Sequence, residues 1–219
     1  GLHCDAQRSA GNSNDLRGAI LRIVMNEDGS YDIPQGNLYR PGTPNTRPEI
    51  YAKGCRNPFR IFVDKKTGYL HWGEVGPDAR EQSDRGPRGY DEYNIATQAG
   101  YFGWPYHVGV DYYNDYNYET KQSGVSFAKG IINDSPRNTG LKELPPVNAA
   151  TVWYPYAKSE QFPELGDGGR NSMAGPVIYQ DGLEHNFPAY FDGKPMWYDW
   201  VRARIMMITL DDNNKAVKL

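Results

Sequence analysis

Two short segments hold the groups best placed for chemistry. In Gly54-Cys55-Arg56-Asn57-Pro58-Phe59-Arg60 one apolar run ends and a Pro-started run begins, so Arg56 and Asn57 fall at the turn between them. A planar guanidinium and an amide meeting there suit an anionic or carbonyl-rich ligand, and suit capping of a strand junction equally well. In Trp72-Gly73-Glu74-Val75-Gly76-Pro77-Asp78 a strand ends in Gly-Pro, whose carbonyls are open to a hard cation. Calcium takes roughly six to eight oxygens, backbone carbonyls among them, so Gly76 and Pro77 with nearby Asp78 or Asp91 form a candidate set.

Other chemistries find less support. The histidines stand at 3, 71, 107 and 185, so none pair at the i,i+2 or i,i+4 spacing of a transition-metal site. Leu165-Gly166-Asp167-Gly168-Gly169-Arg170-Asn171 resembles a dinucleotide loop only superficially, because no βαβ unit surrounds it. Glycoside hydrolysis by Glu74, Asp78 and Asp91 requires two of these carboxylates about 5 to 10 Å apart across a sugar. With 24 Lys and Arg against 27 Asp and Glu, a net charge of -3 and no run of like charge, a nucleic-acid partner is not indicated. No apolar stretch approaches the roughly 18 residues of a membrane helix. Cys4 and Cys55 fit one bridge or two small buried thiols, and do not settle the redox compartment.

The elements that must position these groups are short. Strand-like runs cover Ala19 to Val24, Glu49 to Ala52, Phe59 to Val63, Tyr69 to Val75, Glu92 to Ala96, Ala150 to Tyr154, Pro176 to Tyr179, Pro195 to Trp200, Ile205 to Leu210 and Ala216 to Leu219. Asp28-Gly29, Thr67-Gly68 and Asp192-Gly193 supply turns with a glycine able to take positive φ, and Asp211 to Asn214 supplies a polar turn. The 24 Gly and 16 Pro punctuate the chain too often for a helical bundle, so the class is all-β. Residues 59 to 96 read as strand, turn, strand, loop, strand, and residues 175 to 219 read similarly with a fourth strand at Ala216 to Leu219. Such four-stranded antiparallel units build a β-propeller, with a β-sandwich as the competing layout. Residues 97 to 149 show no repeated strand and read as an inserted loop over the blades, or as a packed insertion.

These motifs together resemble the glucose/sorbosone dehydrogenase family, the soluble quinoprotein sugar dehydrogenases. The resemblance runs in order through Leu16-Arg17-Gly18-Ala19-Ile20-Leu21-Arg22-Ile23, Glu49 to Arg60, Glu74-Val75-Gly76-Pro77, Asp91-Glu92-Tyr93-Asn94 and Tyr101-Phe102-Gly103-Trp104-Pro105. It is looser beyond residue 150. It implies a six-bladed β-propeller that binds pyrroloquinoline quinone (PQQ) and Ca2+ and oxidises an aldose at its anomeric carbon. By that resemblance Arg56 and Asn57 contact the quinone, and Gly76 and Pro77 ligate the cofactor-bound calcium. A second, structural calcium would use Glu92 and the carbonyl of Phe102, with Asp91 nearby. Periplasmic or extracellular placement and an electron acceptor such as a cytochrome c module are implied too.

The chain departs from the pattern in three ways. The family's catalytic His is expected upstream of Leu16-Arg17-Gly18, and His3 lies too close to be it, so no general base is assigned here. The cofactor-binding Lys falls near Val201, leaving Arg202 as the cationic substitute. The final Arg residues would follow Leu219. Blades take roughly 40 to 50 residues, so 219 residues hold about two and a half: a remnant over 15–54, a blade over 56–156 with the insertion 97–149, and a blade over 174–219. The chain lacks an initiator Met, and the expectation is a piece of a longer protein. The alternative is a propeller that has lost its cofactor and binds carbohydrate or protein.

Overall fold

The computed structural model describes residues 5–117, 119–181 and 187–219. His3, Cys4 and His185 lie outside them, as does one end of the bridge considered for Cys55, which is itself buried. The first strands along the chain are β1 (Ala19–Leu21), β2 (Val24–Met25), β3 (Tyr31–Asp32), β4 (Ile50–Lys53), β5 (Pro58–Val63), β6 (Leu70–Glu74), β7 (Asp91–Ala96), β8 (Gly100–Tyr101) and β9 (His107–Val108). There follow β10 (Asp111–Tyr112), β11 (Asn114–Asn117), β12 (Gln122–Ser126), β13 (Val152–Tyr154), β14 (Ser172–Ile178), β15 (Lys194–Asp199), β16 (Arg204–Met207), β17 (Thr209–Leu210) and β18 (Ala216–Lys218). The helical content of the described residues is limited to single 3-10 turns such as Pro163–Leu165. The protein is all-β, and each of the ten apolar runs read from the sequence overlaps a strand. Gly29, Gly68 and Gly193 all take positive φ, as their turns require.

The chain divides into two compact units. The first comprises residues 1–57, 81–88 and 98–149. Here β4 lies between antiparallel β1 and parallel β8. All four residues of β4 are buried, Lys53 among them. The Lys53 ammonium donates to the carbonyls of Ser9 (2.9 Å), Asp15 (2.7 Å) and Arg17 (2.7 Å). Residues 97 to 149, expected to lack strands, instead hold two short hairpins, β9 with β10 and β11 with β12. Their strands are polar and only two to five residues long, so no apolar alternation announces them. The tyrosines carry this region's packing: buried Tyr101 and Tyr106 cluster with Ile131, and Phe127 and Leu144 pack against them.

The second unit comprises residues 58–80, 89–97 and 150–219. Its main sheet is antiparallel, ordered β13-β7-β6-β5, with β13 joining after the long excursion. A second sheet has the order β14-β15-β16. The fourth strand expected in that second sheet is absent from it. The chain breaks step at fully buried Ile208, whose N–H donates to the Pro195 carbonyl at 3.0 Å, and β17 then pairs with β18 separately. Tyr93, Val152, Tyr154, Phe162, Leu165, Ala174, Trp197 and Ile208 form the core.

Among the described residues each unit buries one histidine. His71 places Nδ1 2.8 Å from the Tyr93 hydroxyl, and the His107 ring stacks edge-on against Tyr112. Burial pulls each imidazole down to about 4. An unfolded imidazole, titrating near 6.5, takes up a proton between pH 6.5 and 4 that the folded one refuses. Stability is therefore complete above pH 6.5 and falls as pH drops toward 4, by roughly 3 kcal/mol per histidine at most. Urea midpoints measured from pH 7 to 4.5 should show this fall, and His71→Gln should remove part of it. An equally steep fall in the variant would assign the acid sensitivity to other groups.

Candidate functional site

In the first unit, Arg56 and Asn57 leave the end of β4 exposed to solvent. Their position is fixed by backbone. The Phe102 N–H donates to the Lys53 carbonyl at 2.7 Å, and the Trp104 N–H to the Gly54 carbonyl at 2.9 Å, so the Gly-Trp-Pro segment is sewn onto the strand end. Gly54 has φ +78, and a Cβ there would lie 2.7 Å from the Tyr101 ring, so the approach needs glycine. The Arg56 guanidinium then stands 5.7 Å from the Trp104 ring centroid. A cation beside an aromatic face is a receptive surface for a planar anion. Phe102 is buried in the same unit.

In the second unit, Gly76, Pro77 and Asp91 come together. Asp91 is buried and accepts from the N–H groups of Gly76 (3.0 Å) and Ser172 (3.1 Å). Burial pushes its carboxyl up to about 6, against the pull of the Arg170 guanidinium and the two N–H donors. Arg170 places Nε 3.6 Å from Asp91 Oδ1, with both side chains only 1% exposed. Its Nη2 donates to the Pro77 carbonyl at 2.9 Å, and its guanidinium carbon stands 3.9 Å from the Tyr156 ring centroid. Arg80 also faces that ring, at 4.6 Å, and the Tyr156 hydroxyl donates to Asp78. The chain between Pro77 and Asp91 is closed at its neck: the Gly89 N–H donates to the Ala79 carbonyl at 2.8 Å. A Cβ on Gly89 would lie 1.8 Å from the Pro77 oxygen.

The remaining candidates serve the sheet. Glu74 and Glu92 face each other across β6 and β7, both buried. Trp72 Nε1 donates to Glu74 at 3.0 Å and Asn94 to Glu92 at 2.9 Å. Glu74, Asp78 and Asp91 are thus each held by hydrogen bonds within the fold, an arrangement that gives no support to paired hydrolytic carboxylates. Arg202 gathers the 163–169 segment: its guanidinium reaches the carbonyls of Pro155, Leu165, Gly166, Gly168 and Gly169 at 2.7 to 3.4 Å. A guanidinium has five N–H donors, so these contacts engage the whole group. The glycine-rich stretch that resembled a dinucleotide loop is therefore a cradle of carbonyls for an arginine. Sequence reading assigned no role to Arg170, which follows directly from that stretch.

Residues 3–141 match the family model described as Glucose / Sorbosone dehydrogenase. The chain belongs to that family. Quinoprotein glucose dehydrogenase B of Acinetobacter calcoaceticus is 29% identical over 143 residues, covering 59% of this chain and 26% of that protein. The HIPL2 protein of Arabidopsis thaliana is 31% identical over 118 residues, 48% of this chain and 15% of that protein. The fold is similar to the soluble aldose sugar dehydrogenase of Escherichia coli, solved in the apo-form, with a TM-score of 0.52 at 17% identity. That likeness covers 95% of this chain and 45% of the solved one. The chain thus spans less than half of the solved structure and about a quarter or less of these two curated relatives. The matched residues of this glucose/sorbosone dehydrogenase family chain include Arg56, Asn57, Gly76 and Pro77, whereas Arg170 and Arg202 lie beyond them.

The groups that the family implies can be tested against these residues. Arg56 beside Trp104 fits a planar, anionic quinone. The Gly76-Pro77 turn does not fit calcium. Its Pro77 carbonyl already accepts from a buried guanidinium. A divalent ion on that oxygen would stand ~4 Å from the guanidinium, where repulsion at an effective dielectric of about 20 is roughly 8 kcal/mol. Glu92 and Phe102, assigned to a second calcium, belong to different units.

Proposed function

We propose that this chain forms part of a quinoprotein sugar dehydrogenase, in which Arg56 and Asn57 hold PQQ beside Trp104. The observation that supports this reading is the exposed Arg56 guanidinium beside the Trp104 ring, within the residues that match the family. When bound, the quinone accepts the two electrons released as a sugar is oxidised at its anomeric carbon. Arg56 supplies positive charge where negative charge develops. Asn57 adds an amide donor beside it. The backbone bonds from Phe102 and Trp104 keep both groups at the strand end. The two described histidines are buried and held neutral, so the base that removes the sugar hydroxyl proton is assigned to a residue outside the described set. The reading carries with it action in the periplasm or outside the cell, and an electron acceptor such as a cytochrome c module.

A second reading, a module that binds carbohydrate or another protein without the cofactor, is favoured by one observation. Arg202, the cationic substitute for the family's Lys, has its guanidinium engaged by five carbonyls. Titrating the chain with PQQ, without added calcium and followed by Trp fluorescence and absorbance, separates the two. The expected result is saturable binding that Arg56→Ala weakens about tenfold or more. An unchanged affinity would remove Arg56 from the site, and no binding by the unaltered chain would leave the second reading.

A further inference from the structure

We propose that Arg170 is the resident cation of the Gly76-Pro77 turn, standing where the family resemblance places calcium, so that this turn takes no divalent metal. Four observations converge. Arg170 Nη2 donates to the Pro77 carbonyl at 2.9 Å. Its Nε lies 3.6 Å from Asp91 Oδ1, and Asp91 also accepts from the Gly76 N–H, which ties carboxylate, turn and guanidinium into one cluster. The aromatic face of Tyr156 backs the guanidinium at 3.9 Å. The Arg170 and Asp91 side chains are 1% exposed, so neither swings away from the other at little cost. A carbonyl and a carboxylate are the oxygens a hard cation would seek, and here a guanidinium already neutralises them.

The exchange alters what the turn offers a ligand. Calcium would present bare charge to an incoming oxygen, whereas the Arg170 guanidinium is closed off from one, its side chain being 1% exposed. Its Nε and Nη1 are buried without a hydrogen-bond partner among the described residues. The identity of the cation does not rest on the quinone reading.

The test uses the 219-residue chain with calcium itself as the probe. Crystals grown in millimolar calcium should show the Arg170 guanidinium on the Pro77 oxygen and no anomalous calcium signal there. Calcium within about 2.6 Å of that oxygen would overturn the proposal. In solution, calorimetric counting of calcium sites should give one more site in Arg170→Gln than in the unaltered chain, and no gain in Arg170→Lys, which keeps the charge. Equal counts in the unaltered chain and Arg170→Gln would also overturn it, and should that variant fail to fold, the crystal result decides alone. Since the PQQ titration is run without calcium, loss of the quinone reading and loss of this one give different results.

Discussion

Replacing Lys53 by Met should destabilise the chain by about 3–5 kcal/mol, seen as a large drop in the urea midpoint at pH 7. Lys53 is fully buried in the middle strand of its sheet, and its Nζ donates to three carbonyls from the segment before β1. An ammonium has three N–H donors and no acceptor, so the match is complete only while the group is charged. Burial pulls it down to about 8, which still leaves it cationic at neutral pH. Methionine fills a similar volume and removes only the donors, so the partly buried carbonyls of Ser9, Asp15 and Arg17 lose the ammonium, the Ser9 carbonyl keeping the Asn12 N–H. A loss below about 1 kcal/mol would mean that water reaches all three.

Gly76→Ala should have a comparable or larger effect, because the obstacle is backbone. A Cβ at Gly76 would lie 1.7 Å from the Tyr90 carbonyl oxygen and 2.6 Å from its carbon. The Tyr90 carbonyl adjoins Asp91 at the start of β7, so the turn must open and the Gly76 N–H bond to Asp91 must break. We expect a loss above about 4 kcal/mol, or failure to fold. Gly68→Ala serves as the control: its φ is +74 but no atom lies near the new methyl, so it should cost only about 1 kcal/mol. Similar midpoints for the two variants would show that the turn relaxes around the methyl group.

These sites differ in how far the sequence disclosed them. The strands were legible because β4 to β7 carry apolar runs bounded by glycine turns, and Arg56 and Asn57 were legible because they sit where one run stops and the next starts. The hairpins within 97–149 were not, since strands such as Asn114–Asn117 bury no continuous face. The surroundings of Lys53, Arg170 and Arg202 were hidden for another reason, although Arg202 itself was singled out as a cofactor-binding cation. Lys53 and Arg202 are held by carbonyls from distant segments, residues 9 to 17 and residues 155 to 169, and Arg170 by the Pro77 carbonyl together with the Asp91 carboxylate. Every residue type supplies a carbonyl, so no spacing of side chains marks such a cradle. The glycine-rich stretch before Arg170 was visible and was set aside as only superficially like a dinucleotide loop, whereas its carbonyls are the working part.

The pinched neck between Ala79 and Gly89 bears on how the chain could diversify. Because the Gly89 N–H to Ala79 carbonyl bond and the close approach of Gly89 to the Pro77 oxygen join the two ends, the residues between them form an excursion with a fixed root. Doubling the length of such an excursion costs only about 0.6 kcal/mol of closure entropy. Its tip is packed, however: the Arg85 carbonyl accepts from the Asn114 N–H at 2.9 Å, and Gly86 and Pro87 are buried. A change in length between residues 80 and 88 is therefore limited by that packing, and not by the root beneath the arginine-filled turn.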